Sequence, residues 1–130
     1  MKLFVLLYSL FFCSISSFSQ FVAGEEVRFS EPYSDDIYVA GGEVIIDAVI
    51  SGDCLAAGGK IAINDSIAAD LIVSGGEIMV NGIVGDDIRA AGGSIVINGE
   101  VMDDLIVFGG EIELGPAAVI HGNVVSYGGE

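Results

Sequence analysis

The chain has 130 residues, of which 19 are acidic and only 4 are basic, giving a formal net charge of −15. Four scattered basic residues cannot neutralise a phosphate backbone, so the composition excludes nucleic acid as a partner and disfavours an anionic membrane surface. Hydrophobic residues make up 52% of the chain, which excludes a disordered acidic tail and is enough for one folded domain.

Residues 1–19 are predicted to be a secretory signal peptide. Lys2 supplies a positive charge, and the apolar run that follows it is too short for a comfortable membrane span. Ser17 and Ser19 are small residues that permit cleavage before Gln20, and Ala23 before Gly24 is a second candidate site. An uncleaved anchor is the alternative. Cleavage removes Cys13, so Cys54 is left without an intrachain disulfide partner and we expect a buried thiol. The predicted location is the periplasm or the cell exterior, as part of the cell envelope.

Residues 20–34 are predicted to be a lead-in that caps the N-terminal end of the domain. They do not fit the register of the repeats that follow, and we expect Phe29 and Tyr33 to lie over the first repeat.

Residues 35–130 contain a repeat of 17 residues, marked by glycine pairs with an Asp or Asn five positions before each pair. The pairs are Gly41-Gly42, Gly58-Gly59, Gly75-Gly76, Gly92-Gly93, Gly109-Gly110 and, after a longer step, Gly128-Gly129. A fixed period of this size indicates supersecondary units that bury their apolar faces only by stacking on one another.

Within each repeat the apolar residues alternate with period two, which is typical of short strands of about four residues with one buried face. Aligned on the glycine pairs, they form five columns. The columns are Ile37, Cys54, Leu71, Ile88, Leu105 and Val124; Val39, Ala56, Val73, Ala90, Val107 and Ser126; Val44, Ile61, Ile78, Ile95 and Ile112; Ile46, Ile63, Val80, Ile97 and Leu114; Ile50, Ile67, Val84, Val101 and Ile120.

The breaks between these strands predict three corners in each repeat: the acidic residue, the glycine pair, and a third set at Asn64-Asp65, Asn81-Gly82 and Asn98-Gly99. Glycine and Asn at such corners permit left-handed backbone or close approach of neighbouring chains. The prediction is an all-β fold, a single-stranded triangular parallel β-helix with coils about 4.8 Å apart. Antiparallel hairpins are the alternative, because Asn-Gly is also a hairpin turn. Hairpins do not, however, require side chains to match at the full repeat.

Stacked coils would align one carboxylate from each repeat in a column that we call the Asp row: Asp36, Asp53, Asp70, Asp87 and Asp104. Asp35, Asp86 and Asp103 would lie beside it. Carboxylates about 5 Å apart repel one another, and a hard cation such as Ca²⁺ would relieve the repulsion. Alternatively, each Asp accepts hydrogen bonds from backbone N–H groups at its corner.

The residues that alternate with the first two columns should point outward. They are Tyr38, Leu55, Ile72, Arg89, Ile106 and Val125, with Ala40, Ala57, Ser74, Ala91, Phe108 and Tyr127. An apolar stripe of this length exceeds what soluble monomers usually expose. It is predicted either to contact a second filament or an envelope partner, or to be covered by another segment of the chain.

We found no pattern typical of an enzyme. His121 is the single histidine, and Val119 to Asn123 resembles the hexapeptide repeat of acyltransferases only faintly, since 17 is not a multiple of six. Polysaccharide lyases need clustered basic residues, and a serine hydrolase needs a nucleophile elbow. Ice binding favours arrays of Thr. This sequence has none of these features. A surface histidine is the alternative for His121.

Residues 113–125, ELGPAAVIHGNVV, resemble the recurrent phrase of the bactofilins, the polymer-forming cytoskeletal family of bacteria. The matching positions are Leu114, Gly115, Pro116, Ala117, Ala118, Ile120, Gly122 and Asn123. The preceding coils resemble Gly-Gly-rich relatives, so the resemblance covers residues 35–130. It implies a right-handed three-sided β-helix, nucleotide-free self-assembly and no catalytic residues.

Taken together, these features predict a non-enzymatic scaffolding protein of the cell envelope. Its main partner would be its own copies, joined end to end, with an envelope or membrane protein as a further partner. The alternative is a surface-exposed, adhesin-like module or a cation-dependent carbohydrate binder. Apart from Ca²⁺ at the Asp row, no cofactor is predicted.

Overall fold

The protein is a parallel β-solenoid of about six turns, seen in a computed structural model that describes residues 20–128. Seven strands form one parallel sheet, and three short strands form a second. The long strands are β1 (Gln20–Phe29), β2 (Ile37–Ile46), β3 (Cys54–Ile63), β4 (Leu71–Val80), β6 (Ile88–Ile97), β8 (Leu105–Leu114) and β10 (Val124–Gly128). The short strands are β5 (Ile83–Val84), β7 (Glu100–Val101) and β9 (Val119–Ile120).

Every strand pair in the described residues is parallel, and each residue pairs with its equivalent one repeat later. Ile37 of β2 pairs with Cys54 of β3, and Leu71 of β4 pairs with Ile88 of β6. The last step is longer, and Leu105 pairs with Val124. The predicted solenoid is therefore confirmed, and antiparallel hairpins are not formed.

Each coil has three sides, and we number the coils 1 to 7 by the long strand that opens them. Side 1 is the half of each long strand before its glycine pair, and side 2 is the half after the pair. Side 3 contains the short strands and the isolated bridges that join Tyr33, Ile50, Ile67 and Val84. The buried residues of β2 are Ile37 and Val39 on side 1, then Val44 and Ile46 on side 2, so the alternation changes phase at the glycine pair.

The five predicted columns form one continuous aliphatic interior. Their members in coils 2 to 5 are buried, and no charged or polar residue is buried among the described residues. Ile112 and Ile120, in coil 6, are partly buried against this core. The interior is thus built entirely from residues that stack on their own equivalents.

Two details of the corners differ from the prediction. The glycine pairs do not interrupt the strands, because each ten-residue strand runs through its pair. In addition, no residue in the described range has positive φ, so left-handed backbone is not the reason for glycine or Asn at the corners. At the glycine pairs the other predicted reason, close approach of neighbouring chains, is confirmed: a Cβ on Gly41 would lie 2.6 Å from the carbonyl oxygen of Gly24 in the preceding coil.

Residues 20–34 also differ from the expectation, because they are in register with the repeats. β1 pairs with β2 along its length, with Gly24 opposite Gly41 and Val27 opposite Val44. Tyr33 bridges to Ile50 on side 3, and the ring of Phe29 meets that of Tyr33 edge-on, with their centroids 6.5 Å apart. The segment is therefore coil 1 of the solenoid.

The predicted signal peptide, residues 1–19, lies outside the described residues, as do residues 129 and 130. From residue 20 to residue 128 the chain forms no helix long and apolar enough to cross a membrane.

Candidate functional site

The Asp row runs along the corner that precedes side 1. Each aspartate stands directly before the first residue of a long strand, and its Oδ1 accepts a hydrogen bond from the backbone N–H of the equivalent residue one coil later. The N–H to Oδ1 pairs are Asp53 to Asp36 at 2.7 Å, Asp70 to Asp53 at 2.9 Å, Asp87 to Asp70 at 3.1 Å, Asp104 to Asp87 at 2.9 Å and Asn123 to Asp104 at 2.8 Å.

These bonds extend the hydrogen bonding between coils around the corner. Between the same two coils, the N–H of Ile37 donates to the carbonyl of Asp53 at 2.9 Å, and the N–H of Leu71 donates in the same way to the carbonyl of Asp87. A carboxylate in this position therefore satisfies a backbone donor that the parallel sheet leaves free. The structure confirms that the Asp row accepts backbone hydrogen bonds, and cation binding by the row stays a prediction.

Two neighbouring aspartates add a second layer of negative charge at the ends of coils 4 and 5. Asp86 joins Asp70 and Asp87, and Asp103 joins Asp87 and Asp104, in two groups whose nearest carboxylate oxygens all lie within 4.8 Å of one another. Asp35 belongs to no such group in the described chain, and its Oδ1 accepts the backbone N–H of Asp36 at 2.8 Å.

The negative charge of neighbouring carboxylates raises the pKa of Asp86 and of Asp103, the two outer aspartates, above the ordinary value for aspartate. The largest cause at Asp86 is the charge of Asp70, and the largest cause at Asp103 is the charge of Asp104. Hence each outer aspartate is held near its neighbours by the fold at an electrostatic cost when all of them are ionised. A bound cation or a proton would lower that cost.

Side 1 presents the predicted outward stripe, and its two columns are exposed or half-buried along the described coils. Near its C-terminal end, the rings of Phe108 and Tyr127 stack with centroids 5.2 Å apart and planes 7° from parallel. Phe108 is 50% exposed and Tyr127 is 62% exposed. No described residue covers this face.

Side 2 contains a shallow groove of about 280 Å³ that sequence reasoning missed. Its floor follows the outward column Ile45, Ala62, Met79 and Val96, where Ala62 leaves a hollow between larger neighbours. Lys60 lies at the edge of the groove, and its Nζ is 3.6 Å from Oε2 of Glu77. The groove is open and smaller than the usual ligand pocket, so it does not define a binding site.

His121 lies at the corner after β9, and its Nε2 is 2.7 Å from Oε1 of Glu100 on the preceding coil. Sequence analysis missed Glu100 because a 21-residue separation hides a contact between adjacent coils. Both side chains are exposed, and no nucleophile accompanies them in the described residues. The pair links coils 5 and 6 at the surface.

Cys54 occupies a column position in the core and is fully buried, as predicted. Desolvation raises its pKa to about 12, so the reactive thiolate does not form at neutral pH. Cys54 therefore serves as a small core residue.

Comparison of the chain with protein-family models, with characterised proteins and with solved structures found no match. The resemblance of residues 113–125 to the bactofilin phrase is not tested by these comparisons and stays a prediction.

Proposed function

We propose that this chain is an exported, non-enzymatic scaffolding protein of the cell envelope that assembles end to end into a bactofilin-like polymer. The observation that carries the proposal is the exposure of the core columns in the last two coils that the structure describes. Leu114 and Val124 belong to columns that are buried in earlier coils, yet they are 47% and 48% exposed.

Exposed column residues of this kind favour contact with another coil. The backbone of β10 pairs with β8 on one edge only within the described residues, so its other edge can pair with a further strand. Successive coils of the solenoid stabilise one another by nearest-neighbour contacts, and a second copy can continue the same stacking. This supports self-association through the ends.

Three further features support the family and the location. Gly115 accepts a hydrogen bond from the N–H of Ala118 at 3.1 Å, so the Gly-Pro phrase forms a turn at which the longer step is accommodated. The 1–19 segment has the pattern of a secretory signal. The interior contains no buried polar group in the described coils, which suits a structural role better than catalysis.

The test is electron microscopy and sedimentation of the purified protein over a range of concentrations. We expect filaments whose length increases with concentration and does not change with chelator. Val124→Asp places a charge on the exposed column end and should shorten or abolish the filaments. Val49→Asp, at an exposed site in the middle of side 3, is the matched control and should leave them intact. Single particles at all concentrations, or equal effects of both variants, would overturn the proposal.

A surface-exposed, adhesin-like or cation-dependent carbohydrate-binding module is the second candidate. The observation that favours it is the pair of carboxylate groups around Asp87, whose oxygens are close enough to share a cation. Calcium titration followed by thermal melting distinguishes the two functions. A large calcium-dependent rise in Tm together with calcium-dependent glycan binding would support the module, whereas filaments without either would support the scaffold.

A further inference from the structure

We propose that side 1 is a lateral interface on which a second copy of this chain packs face to face, with the two solenoids antiparallel. This inference concerns a side of the solenoid and not its ends, so it goes beyond the end-to-end scaffold and does not depend on it.

The charge distribution singles out this side. The chain carries 19 acidic residues, yet the outward positions of side 1 that the structure describes include none of them. These positions are Ala23, Tyr38, Ala40, Leu55, Ala57, Ile72, Ser74, Arg89, Ala91, Ile106, Phe108, Val125 and Tyr127. Side 2 carries Glu43, Glu77 and Glu111, and side 3 carries Glu100. Two copies of so acidic a molecule can therefore approach closely through side 1 with the least repulsion.

The area of this face is sufficient for a specific dimer. Seven strands about 4.8 Å apart, with about five residues of about 3.3 Å on this side, give a face of about 500 Å². Two such faces would bury about 1,000 Å² in total, which is near the lower limit for a specific interface. A face that is apolar except for Ser74 and Arg89, and that is bordered by carboxylates, is also the pattern of an interaction surface.

The sizes of the side chains determine the direction of packing. In the column nearest the glycine pairs, the residues of coils 1 to 3 are Ala23, Ala40 and Ala57, whereas Phe108 and Tyr127 occupy coils 6 and 7. Consider a two-fold axis that lies in the interface, parallel to the strands, and passes through coil 4. This axis reverses the order of the coils, and each outward column of one copy faces the same column of the other copy. Phe108 of one copy then faces Ala40 of the other, and Tyr127 faces Ala23. A parallel arrangement would instead crowd Phe108 and Tyr127 of both copies together at one end of the interface.

The same axis brings the Asp rows of the two copies along the same edge of the interface. Their repulsion opposes association, and salt screens it. Dimerisation should therefore strengthen as NaCl is raised, and the dissociation constant should fall severalfold between low and physiological ionic strength.

Sedimentation velocity of the purified protein tests the surface. Ile72 lies on the proposed axis and faces its own copy, so Ile72→Glu should raise the dissociation constant of the lateral dimer by at least about tenfold, equivalent to about 1.4 kcal/mol. Met79→Glu introduces the same charge in the same coil at an exposed position on side 2 and should change nothing. Where the protein also forms filaments, those of the Ile72→Glu variant should be single and those of the parent paired, whereas the sedimentation result does not require filaments. A parent that stays unpaired at all concentrations and salt levels, or equal effects of both substitutions, would overturn the inference.

A size exchange tests the direction. Ala40→Phe should block lateral pairing because two large rings then face each other, and Phe108→Ala should weaken it through lost contact. The double variant Ala40→Phe/Phe108→Ala should restore pairing, because each copy again presents a ring opposite an alanine. If the double variant is no better than either single variant, the antiparallel arrangement is wrong. Circular dichroism of each variant confirms that the outward substitutions leave the fold intact.

Discussion

At the scale of single residues, the Asp row shows how a charged side chain can serve the backbone. Each carboxylate accepts the N–H of the next aspartate, and the last donor in the series is the N–H of Asn123. What the corner requires is an oxygen acceptor at a fixed distance, and a negative charge is not needed for that. The amide of Asn offers the same acceptor.

The first prediction separates the acceptor from the charge at Asp70. Asp70→Ala leaves the N–H of Asp87 without its 3.1 Å partner and should lower the free energy of unfolding by about 1–3 kcal/mol. Asp70→Asn keeps Oδ1 and removes the charge that acts on Asp86, so it should be as stable as the parent or more stable. Urea unfolding measures both, with Glu77→Ala as an exposed control. If Asn destabilises as much as Ala, the hydrogen bond is not what the row contributes.

At the scale of the strand, the glycine pair is a requirement of stacking. A Cβ on Gly75 would lie closer than 3.0 Å to the carbonyl oxygen of Gly58, whereas at the second glycine of a pair the corresponding distance is longer, from 2.9 Å in Gly42 to 3.2 Å in Gly110. The first glycine of each pair is thus the more constrained. By contrast, a Cβ on Gly24, in coil 1, would meet no described atom closer than 3.7 Å.

We therefore predict a graded series of alanine substitutions. Gly75→Ala forces neighbouring coils apart and should cost at least about 1–3 kcal/mol, as overpacking does in other cores. Gly110→Ala should cost less. Gly24→Ala should be neutral or stabilise the fold by about 0.4–1 kcal/mol, because it reduces the entropy of the unfolded chain without a clash. Thermal melting checks the order, and a Gly24→Ala variant as unstable as Gly75→Ala would contradict it.

The same feature explains why coil 1 was missed. Glycine pairs mark coils 2 to 7 in the sequence, but in coil 1 Gly24 is followed by Glu25, so the marker is missing there. Val22 and Val27 do lie 17 residues before Val39 and Val44, and this weaker signal could have placed the strand.

At the scale of the whole molecule, the fold concentrates negative charge at one corner. The pKa of Asp86 and that of Asp103 are raised from the usual 3.8 by neighbouring carboxylates. For a group whose pKa is raised in the folded state, the stabilising contribution is fully present below the unfolded value and is lost as pH rises through the folded value. Hence these two carboxyls favour the fold in acid and oppose it at neutral pH.

The third prediction compares the parent with the double variant Asp86→Asn/Asp103→Asn across pH. At pH 7 the variant should have the higher Tm, because the repulsion is removed. The difference should shrink as pH falls toward 3.8 and vanish below it, where the parent carboxyls are protonated. The double variant Glu43→Gln/Glu111→Gln, which removes two exposed carboxylates on side 2, controls for net charge. A difference that is constant with pH would show that the repulsion is unimportant.

The sequence by itself determined the coil, the five buried columns and the line of carboxylates. It could do so because a parallel stack repeats one environment every 17 residues, and each environment selects the same residue type. Tertiary structure alone decided which groups meet across coils: the acceptor role of each Asp, the pairing of His121 with Glu100 and the inclusion of residues 20–33 in the stack. A period states which face of a strand is buried, but distances between coils depend on how closely the backbones pack, and only the folded chain fixes that spacing.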